Sequence, residues 1–345
     1  MSATVRGLLG KRRPWVVAEI GVNHNGRREE ALALVRMAAR ADVQAVKFQA
    51  FRAERLARPD APLASYQERS GAEGQFALLR ALEIDRGTLA ACAAEARRLD
   101  LAFGVTPFDP DSLREILTLE PDFIKIGSGD ADNFLLIEAA RDCGRPVLVS
   151  TGMCSLAEVE RLAGWFSGAD ERLALLHCVS AYPAPEEACN LAVLDALRGL
   201  GTVVGFSDHT MGTRAASLAL ALGAEIIERH ITLDRAAAGP DHASSSDEAG
   251  LRAWLAELRA TALVLGDGVK RMMPCEEDVR RVARKSILLQ EPLRAGESLE
   301  RSHVRCLRPA DGLSCARLPG LLGRRARHDL PAGRLLTEQD LEEVA

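Results

Sequence analysis

Two lysines and two serines follow short apolar segments of the sequence and have the chemistry of an anion site. The lysines are Lys47 and Lys125, while Ser128 and Ser150 stand close to glycines whose backbone amides can also donate. Ammonium groups, hydroxyls and such amides together hold a phosphate or a carboxylate. A single lysine in such a place is more often a salt-bridged structural residue, but two lysines beside Ser-Gly turns favour anion binding.

Two histidines that follow consecutive apolar segments, His209 and His230, predict a metal site. If those segments are neighbouring strands, they lie about 4.8 Å apart, so both imidazoles can enter one coordination sphere. Two histidines with nearby oxygen donors suit a divalent first-row metal used as a Lewis acid, rather than a closed structural zinc site. His177 follows the preceding segment, and a third ligand, an anion contact and a structural role stay open for it.

Carboxylates follow other segments of the same kind. Glu19, Asp130 and Asp241 are suited to proton transfer or to holding sugar hydroxyls. Each can instead balance a lysine, and the sequence leaves both roles open. Asp208 precedes His209 directly and is a candidate for orienting that imidazole.

These residues can converge only if the segments before them form one parallel sheet. Strand-like apolar runs alternate with amphipathic helical segments such as Arg28–Arg40 and Glu248–Leu265. The eight runs are Trp15–Ile20, Ala45–Phe48, Leu101–Val105, Phe123–Ile126, Pro146–Val149, Leu173–Leu176, Thr202–Gly205 and Glu225–Glu228. Eight such units over about 250 residues predict an α/β fold, a closed (β/α)8 TIM barrel with its functional groups at the C-terminal strand ends. A doubly wound open sheet is the main alternative, but no GxGxxG follows any run.

The chain is predicted to contain two domains. Residues 1–266 form the barrel domain, residues 267–282 a linker, and residues 283–345 a small second domain. This last segment carries an internal repeat, in which the sequence LRAGESL at 293–299 recurs as LPAGRLL at 330–336. The connection between the second and third runs is unusually long, and a loop of that length in a compact domain is usually functional.

Composition excludes several classes of protein. The chain has 345 residues and a formal net charge of -5, with 27% charged residues spread along its length. It has neither the basic stripe of a nucleic-acid or membrane-surface protein nor an apolar run of the roughly 18 residues that span a membrane. We expect a cytoplasmic protein without a secretory signal. The eight cysteines form no CxxC pair, so we expect them to be reduced and assign them no chemistry.

An ordered set of motifs closely resembles the sialic acid synthase family, the N-acetylneuraminate and legionaminate synthases. The motifs are Ala18–Gly26, Val46–Gln49, Thr106–Asp109, Ile124–Asp130, Ser150–Met153, Leu176–Cys178, Tyr182–Pro185, Gly205–Thr210, Glu228–His230 and Gly239–His242. The repeat-bearing tail resembles the family's antifreeze-like (SAF, β-clip) domain, with an Arg-Pro pair in Val304–Pro309. The resemblance spans nearly the whole chain, and the ordered set is far more specific than any single motif.

The resemblance implies a transferase that condenses phosphoenolpyruvate with the open-chain form of an N-acylated mannosamine-type sugar. The products are phosphate and a nonulosonic acid, so the expected activity is that of an N-acetylneuraminate or legionaminate synthase. By similarity, phosphoenolpyruvate is held by Lys47, Lys125, Ser128, Ser150, Ser180 and Tyr182, in a pocket also lined by Gln49 and Thr106.

The same resemblance implies the remaining roles. His209 and His230 would bind Mn²⁺, with Mg²⁺ or Co²⁺ as alternatives, and Asp130 would transfer a proton to or from water. Glu19 and Asp241 would hold sugar hydroxyls. The expected assembly is a domain-swapped homodimer in which Arg308 reaches the active site of the partner subunit.

Two departures from the family pattern leave the acceptor sugar open. Asp130 stands where neuraminate-type members often carry glutamate, and Val179-Ser180-Ala181 replaces the more usual residues before Tyr182.

Two other functions are alternatives to the synthase. Another phosphoenolpyruvate-condensing barrel enzyme acting on a sugar phosphate would need a further basic cluster, which is not evident. A non-catalytic carbohydrate-binding homologue would be favoured by loss of a histidine or lysine named above, and none is lost.

Overall fold

Eight parallel strands close into a barrel in chain order, which confirms the predicted TIM barrel. The computed structural model describes residues 4–10, 14–64, 67 and 72–343. The strands are β1 Trp15–Gly21, β2 Ala45–Ala50, β3 Ala102–Pro107, β4 Phe123–Ile126, β5 Val147–Ser150, β6 Leu173–Cys178, β7 Val203–Asp208 and β8 Ile226–His230. All but β4 end one to three residues later than predicted. The apolar runs stop early because most of these strands carry polar residues near their C-terminal ends, such as Gln49, Thr106 and His230.

All helices of the barrel domain except the first, which precedes β1, come after a strand, and they cover the outside of the barrel. The helices are α1 Val5–Leu9, α2 Arg28–Arg40, α3 Ala53–Leu56, α4 Gln75–Leu82, α5 Arg86–Arg98, α6 Pro110–Leu117, α7 Phe134–Asp142, α8 Leu156–Trp165, α9 Val193–Arg198, α10 Arg214–Ala221 and α11 Glu248–Leu265. Side chains cap the N-termini of several helices. Before α6, Asp109 accepts from the amide of Ser112, and at the start of α8, Ser155 and Glu158 form a capping box. The long connection after β2 contains α3 and α4. Ser70 and Gly71 of this connection lie outside the described part.

The barrel has two apolar layers, one between sheet and helices and one inside its lower half. The inner layer includes Trp15, Val17, Phe123 and Leu148, all buried. Gly104 is required there because a Cβ at this position would lie 2.1 Å from the Phe123 ring. Apolar side chains therefore fill the N-terminal end of the barrel, and polar side chains are left for the C-terminal end.

The chain splits at Gly266 into two compact units. In the second unit α12, Glu277–Ala283, is followed by the antiparallel strands β9, Ser286–Leu289, and β10, Val304–Leu307. The two copies of the repeat pair through a bridge between Leu293 and Leu330, and both residues belong to this unit's apolar core. The repeat is thus a paired structural element.

One expectation about the cysteines is wrong. Cys306 and Cys315 form a disulfide in the second unit, whereas the sequence predicted reduced cysteines throughout. The pairing depends on the fold, since β10 and the 3-10 turn Cys315–Gly320 bring together residues without a CxxC spacing. Among the helices of the described residues, none has the length and apolar character needed to cross a bilayer.

Candidate active site

Charged side chains are buried at the C-terminal ends of the barrel strands. Glu19 on β1, Lys47 on β2, Lys125 on β4 and Glu228 on β8 are each at most 3% exposed. Buried charges are stable only when they are paired or hydrogen-bonded. Four of them in one barrel mouth therefore indicate a functional site.

Glu19 and Lys47 form a buried ion pair across neighbouring strands. The Lys47 Nζ lies 2.7 Å from the Glu19 Oε2 and donates to Thr106 Oγ1 at 3.1 Å. Gln49 Nε2 donates to the other Glu19 oxygen at 3.1 Å. Burial raises the pKa of the Glu19 carboxyl despite the opposing charge of Lys47. The structure thus brings together four residues that the sequence predicted for the site.

Lys125 occupies the centre of a second polar group. Its Nζ donates to Ser150 Oγ at 2.6 Å and to the Ile126 carbonyl at 3.1 Å, and lies 3.8 Å from Glu228 Oε1. Burial lowers the pKa of Lys125. Burial alone would raise the pKa of Glu228, but the positive charges of Lys125 and Lys47 hold it at about 2. Glu228 is therefore an ionised carboxylate among cations.

Sequence reasoning did not select Glu228 or Ser207 as site residues. Ser207 Oγ donates to Glu228 Oε1 at 3.0 Å, and both side chains are buried. The available signal was spacing, because each precedes a selected histidine, His209 or His230, by two residues. Side chains two apart in a strand share a face, so these residues also point into the barrel.

Small residues form a polar cradle between the loops after β4, β5 and β6. The Gly152 amide donates to Ser128 Oγ at 3.0 Å, and that oxygen lies 3.1 Å from the Cys178 sulfur. A Cβ at Gly152 would lie 2.3 Å from Ser180 Oγ. Ser128 and Gly152 also line a surface cavity of about 420 Å³. We call Ser128, Gly152, Cys178 and Ser180 the small-residue cradle; hydroxyls and a backbone amide there can hold an anion.

The two predicted metal ligands face each other. The ring centroids of His209 and His230 are 5.5 Å apart, and the Tyr182 ring packs on both, at 4.4 and 5.8 Å. His209 Nδ1 donates to the Val179 carbonyl at 2.7 Å, which leaves Nε2 with its lone pair. His230 Nδ1 is buried without a hydrogen-bond partner. Burial lowers the pKa of both imidazoles and so favours the neutral form that binds metals.

This donor set fits a divalent cation with open coordination positions. In the part of the chain that the structure describes, no group of three or more His, Cys, Asp or Glu side chains is arranged to hold a metal. The imidazole pair can therefore supply two ligands, and water or substrate must supply the others. Such a site is open rather than structural.

Asp241 lies beside this pair. Its Oδ2 is 3.8 Å from His230 Nδ1, and burial raises its pKa to about 7, with the charge of Glu19 adding to the shift. The loop that carries Asp241 is fixed by Asn23, whose Nδ2 donates to Ser245 Oγ at 2.8 Å; Ser245 in turn donates to the Asp241 carbonyl at 2.7 Å.

The remaining candidates are placed less centrally. Asp130 is half-buried after β4 and accepts a hydrogen bond from Asn133 at 2.9 Å, and burial raises its pKa. Arg308 belongs to the second unit, where it is exposed and its Nε donates to the Ala283 carbonyl at 3.0 Å. The predicted role of Arg308 in the active site of the partner subunit is taken up below as a proposal.

Two open alternatives receive an answer. The Asp208 side chain does not hydrogen-bond the His209 imidazole; it pairs with Arg229 at 2.6 Å, and the Val179 carbonyl accepts from the imidazole instead. The Nε2 of His177 is hydrogen-bonded to the Cys189 carbonyl at 2.6 Å, and burial lowers the pKa of this histidine. His177 therefore has the contacts of a structural residue.

Comparison with known proteins places the chain in a family. The sequence model of the NeuB family matches residues 34–270, and that of the SAF domain matches residues 284–342. An N,N'-diacetyllegionaminic acid synthase of Campylobacter jejuni is 32% identical, over 95% of this chain and 100% of its own length. The enzyme of that name from Legionella pneumophila is 33% identical, over 95% of this chain and 94% of its own.

A solved structure agrees with these sequence matches. The crystal structure of an N-acetylneuraminic acid synthetase from Leptospira borgpetersenii in complex with citrate has a TM-score of 0.69 and 32% identity. It covers 78% of this chain and 91% of its own. The barrel and its buried lysines and histidines agree with these matches. The chain therefore belongs to the NeuB family and carries a C-terminal SAF domain.

Proposed function

We propose that this protein is a nonulosonic acid synthase that condenses phosphoenolpyruvate with an N-acylated mannosamine-type sugar and releases phosphate. The observation that carries the proposal is the juxtaposition of two buried lysines with two buried imidazoles at one barrel mouth. The lysines supply an anion site, and the imidazoles supply metal ligands. The names of the relatives from Campylobacter jejuni and Legionella pneumophila support the same reaction class.

In this proposal phosphoenolpyruvate lies between the lysines and the small-residue cradle. Lys125 and Ser150 already form a short hydrogen bond of 2.6 Å, and Lys47 and Thr106 one of 3.1 Å, so their donors are fixed before substrate arrives. Preorganised donors in a buried site stabilise anionic charge strongly, since they need no reorganisation. Tyr182, a predicted phosphoenolpyruvate contact, packs on both imidazoles and so places this pocket beside the proposed metal ligands.

The imidazoles of His209 and His230 would hold the cation, which we propose to be Mn²⁺, with Mg²⁺ or Co²⁺ as alternatives. A bound divalent cation supplies Lewis-acid polarisation of the sugar aldehyde. Neutral imidazoles suit this role, and the Val179 carbonyl fixes the tautomer of His209 at 2.7 Å. The Tyr182 ring, with its centroid 4.4 Å from that of His209, restrains the same imidazole.

Residues of the chain account for the remaining steps. C3 of phosphoenolpyruvate forms a bond to the aldehyde carbon, which leaves cationic character at C2. The ionised Glu228, 3.8 Å from the Lys125 ammonium, lies in the same pocket, and its negative charge would stabilise the positive charge that develops at C2. Water adds to C2 and loses a proton, for which Asp130 is the candidate acceptor, while the former aldehyde oxygen takes up a proton and becomes a hydroxyl. When the bond from C2 to the phosphate oxygen breaks, the hydroxyl that came from water loses its proton, and phosphate and the keto acid are left. Glu19 and Asp241 hold hydroxyls of the sugar.

The acceptor is proposed to be N-acetylmannosamine or 2,4-diacetamido-2,4,6-trideoxymannose. The second corresponds to the product named for the two relatives that are 32% and 33% identical. The assembly is proposed to be a homodimer in which Arg308 completes the site of the partner subunit.

The decisive experiment measures phosphate release from phosphoenolpyruvate with each sugar, in Mn²⁺ and in EDTA, and records the product mass. Turnover of one sugar that EDTA abolishes, with a product of the expected mass, would support the proposal and name the acceptor. The His209→Ala variant serves as the control for metal-dependent turnover. If the folded, Mn²⁺-loaded protein releases no phosphate with either sugar, both acceptors are wrong.

A further inference from the structure

Two charged residues face away from the barrel interior between the site residues of β7 and β8. Asp208 lies between Ser207 and His209, and Arg229 lies between Glu228 and His230. The strands pair Asp208 with Arg229 in register. Since alternate residues of a strand point to opposite faces, the site residues point inward and this pair points outward, toward the helices. Both residues are buried, at 2% and 5% exposure.

Asp208 is held at every oxygen. Its Oδ2 accepts from Arg229 Nη1 at 2.6 Å and from Trp254 Nε1 of α11 at 3.1 Å. Its Oδ1 accepts from the Thr210 amide at 2.9 Å and from the Thr210 hydroxyl at 2.7 Å. These last bonds pass over His209, so they fix the backbone on both sides of that residue.

Arg229 ties the same turn to the loop beyond β8. Its Nη1 donates to the Gly212 carbonyl at 2.8 Å, and its Nε donates to Ser246 Oγ at 2.8 Å. The guanidinium also stacks on Trp254, 5.2 Å from the ring centroid. Arg229 Nη1 donates to both Asp208 and Gly212. These two hydrogen bonds couple strand β8, which ends at His230, to the turn that carries His209. Arginine suits this role because its donors form a rigid fork.

Loss of the Asp208–Arg229 pair would affect the separation between the His209 and His230 rings. His209 is anchored by its Nδ1 bond to Val179 and by the turn around it, whereas His230 Nδ1 makes no hydrogen bond and has only the Asp241 carboxyl at 3.8 Å. The separation of the two rings therefore depends on the backbone of β7 relative to β8. The outward-facing ion pair in register joins the two strands at this level, in addition to their backbone pairing and the Ser207–Glu228 hydrogen bond.

We propose that Asp208 and Arg229 are positioning residues that hold His209 and His230 at the separation needed to bind one divalent cation. The inference rests on the proposed function, since it assumes that the imidazole pair binds metal. Neither residue touches substrate or metal. Their effect is transmitted through the Thr210 turn and the register of the two strands.

The test measures Mn²⁺ affinity of the full-length chain by isothermal titration calorimetry, after removal of metal with EDTA and without substrate. Variants are Arg229→Met, Asp208→Asn and the double variant, with His209→Ala to identify the site. Loss of such outer contacts typically weakens metal binding about 10- to 100-fold, which is the range expected for Arg229→Met and Asp208→Asn. The double variant should bind no more weakly than the weaker single variant, because the two residues act as one unit.

Stability is separated from positioning by a matched control. Ile116→Val trims a buried side chain of α6, which packs near β3 and away from β7 and β8. It should lower Tm without changing the Mn²⁺ affinity. Arg229→Lys keeps a charge opposite Asp208 and should restore part of the affinity that Arg229→Met loses. If Arg229→Met does not fold, Asp208→Asn, which keeps an acceptor for the Thr210 amide, carries the comparison.

Three results would overturn the inference. The first is Mn²⁺ affinity in both folded single variants within about twofold of wild type, well short of the expected loss. The second is an equal loss of affinity in Ile116→Val. In the third, wild type binds no Mn²⁺ or His209→Ala binds as well as wild type; the metal site of the proposed function then fails too. The first two results leave that site intact, so the two failures are distinguishable.

Discussion

Replacing Gly152 by alanine tests whether the small-residue cradle receives the anion. The added Cβ would lie 2.3 Å from Ser180 Oγ, 2.8 Å from Cys178 Sγ and 3.0 Å from Ser128 Oγ. Optimal contacts between heavy atoms are about 3.5–4.0 Å, so all three neighbours must move outward or rotate. Two of them are the hydroxyls that would bind phosphoenolpyruvate, and the methyl group itself occupies the space where they converge.

The size of the effect follows from the cost of overpacking. Adding a methyl group to a well-packed place costs about 1–3 kcal/mol. If this cost falls on anion binding, the KM for phosphoenolpyruvate rises about 5- to 150-fold. The rise should not extend to the KM for the sugar, because the cradle lies at the end of β6 and in the loops after β4, β5 and β6, whereas His209 follows β7 and His230 ends β8.

The assay is steady-state phosphate release at varied phosphoenolpyruvate and saturating sugar, together with a thermal unfolding curve for each variant. Gly164→Ala is the matched control, because a Cβ at that position of α8 has nothing within 4 Å. Its KM should equal that of wild type, and its Tm should be unchanged or slightly higher, since alanine is favoured over glycine in a helix. A folded Gly152→Ala variant with an unchanged KM for phosphoenolpyruvate would refute the reasoning.

Three further predictions concern the charges. Lys125→Met should lower kcat/KM by more than about 100-fold, because Glu228 loses its nearby cation and the anion loses a preorganised donor; Lys270→Met, at an exposed lysine, is the control in the same assay. Asp340 is buried, and although burial opposes ionisation, its hydrogen bonds hold its pKa below the usual range. Its contribution to stability is therefore full above the unfolded pKa of about 3.9 and is lost as pH falls through the lower folded value. Urea unfolding between pH 2 and pH 7 should show a smaller loss of stability in Asp340→Asn than in wild type, because the asparagine does not ionise. Finally, Lys125→Met and Arg308→Ala should each be inactive, and mixing them with subunit exchange should restore about a quarter of wild-type activity if Arg308 acts in the partner's site; no recovery in verified mixed dimers would contradict that assembly.

The barrel was predictable because its signal is repetitive. Each strand is buried on both faces and is therefore a short, continuous apolar run, and each is followed by a helical segment of different periodicity. The strand ends were not predictable from that signal. Residues such as Gln49, Thr106 and His230 belong to strands, but they are polar because the upper barrel interior holds the site.

The site was predictable in its members more than in its contacts. Lys47, Lys125, His209 and His230 could be selected because basic and imidazole groups at strand ends are expected to converge. Which partner each one takes depends on distances between strands that the sequence does not contain. The pairing of Asp208 with another strand, rather than with the adjacent imidazole, is such a case.

The hydrogen bonds of Asn23 have a consequence for biosynthesis. Asn23 donates to the Ile231 carbonyl and to Ser245 Oγ, which are 208 and 222 residues further along the chain. Contacts of such long range form late, since the intervening chain must be ordered first. A growing polypeptide on the ribosome therefore has no complete pocket until Ser245 has left the exit tunnel, and until β8 has emerged to pair with β1 the sheet keeps unpaired edges. Folding assistance during synthesis would be most valuable over that interval.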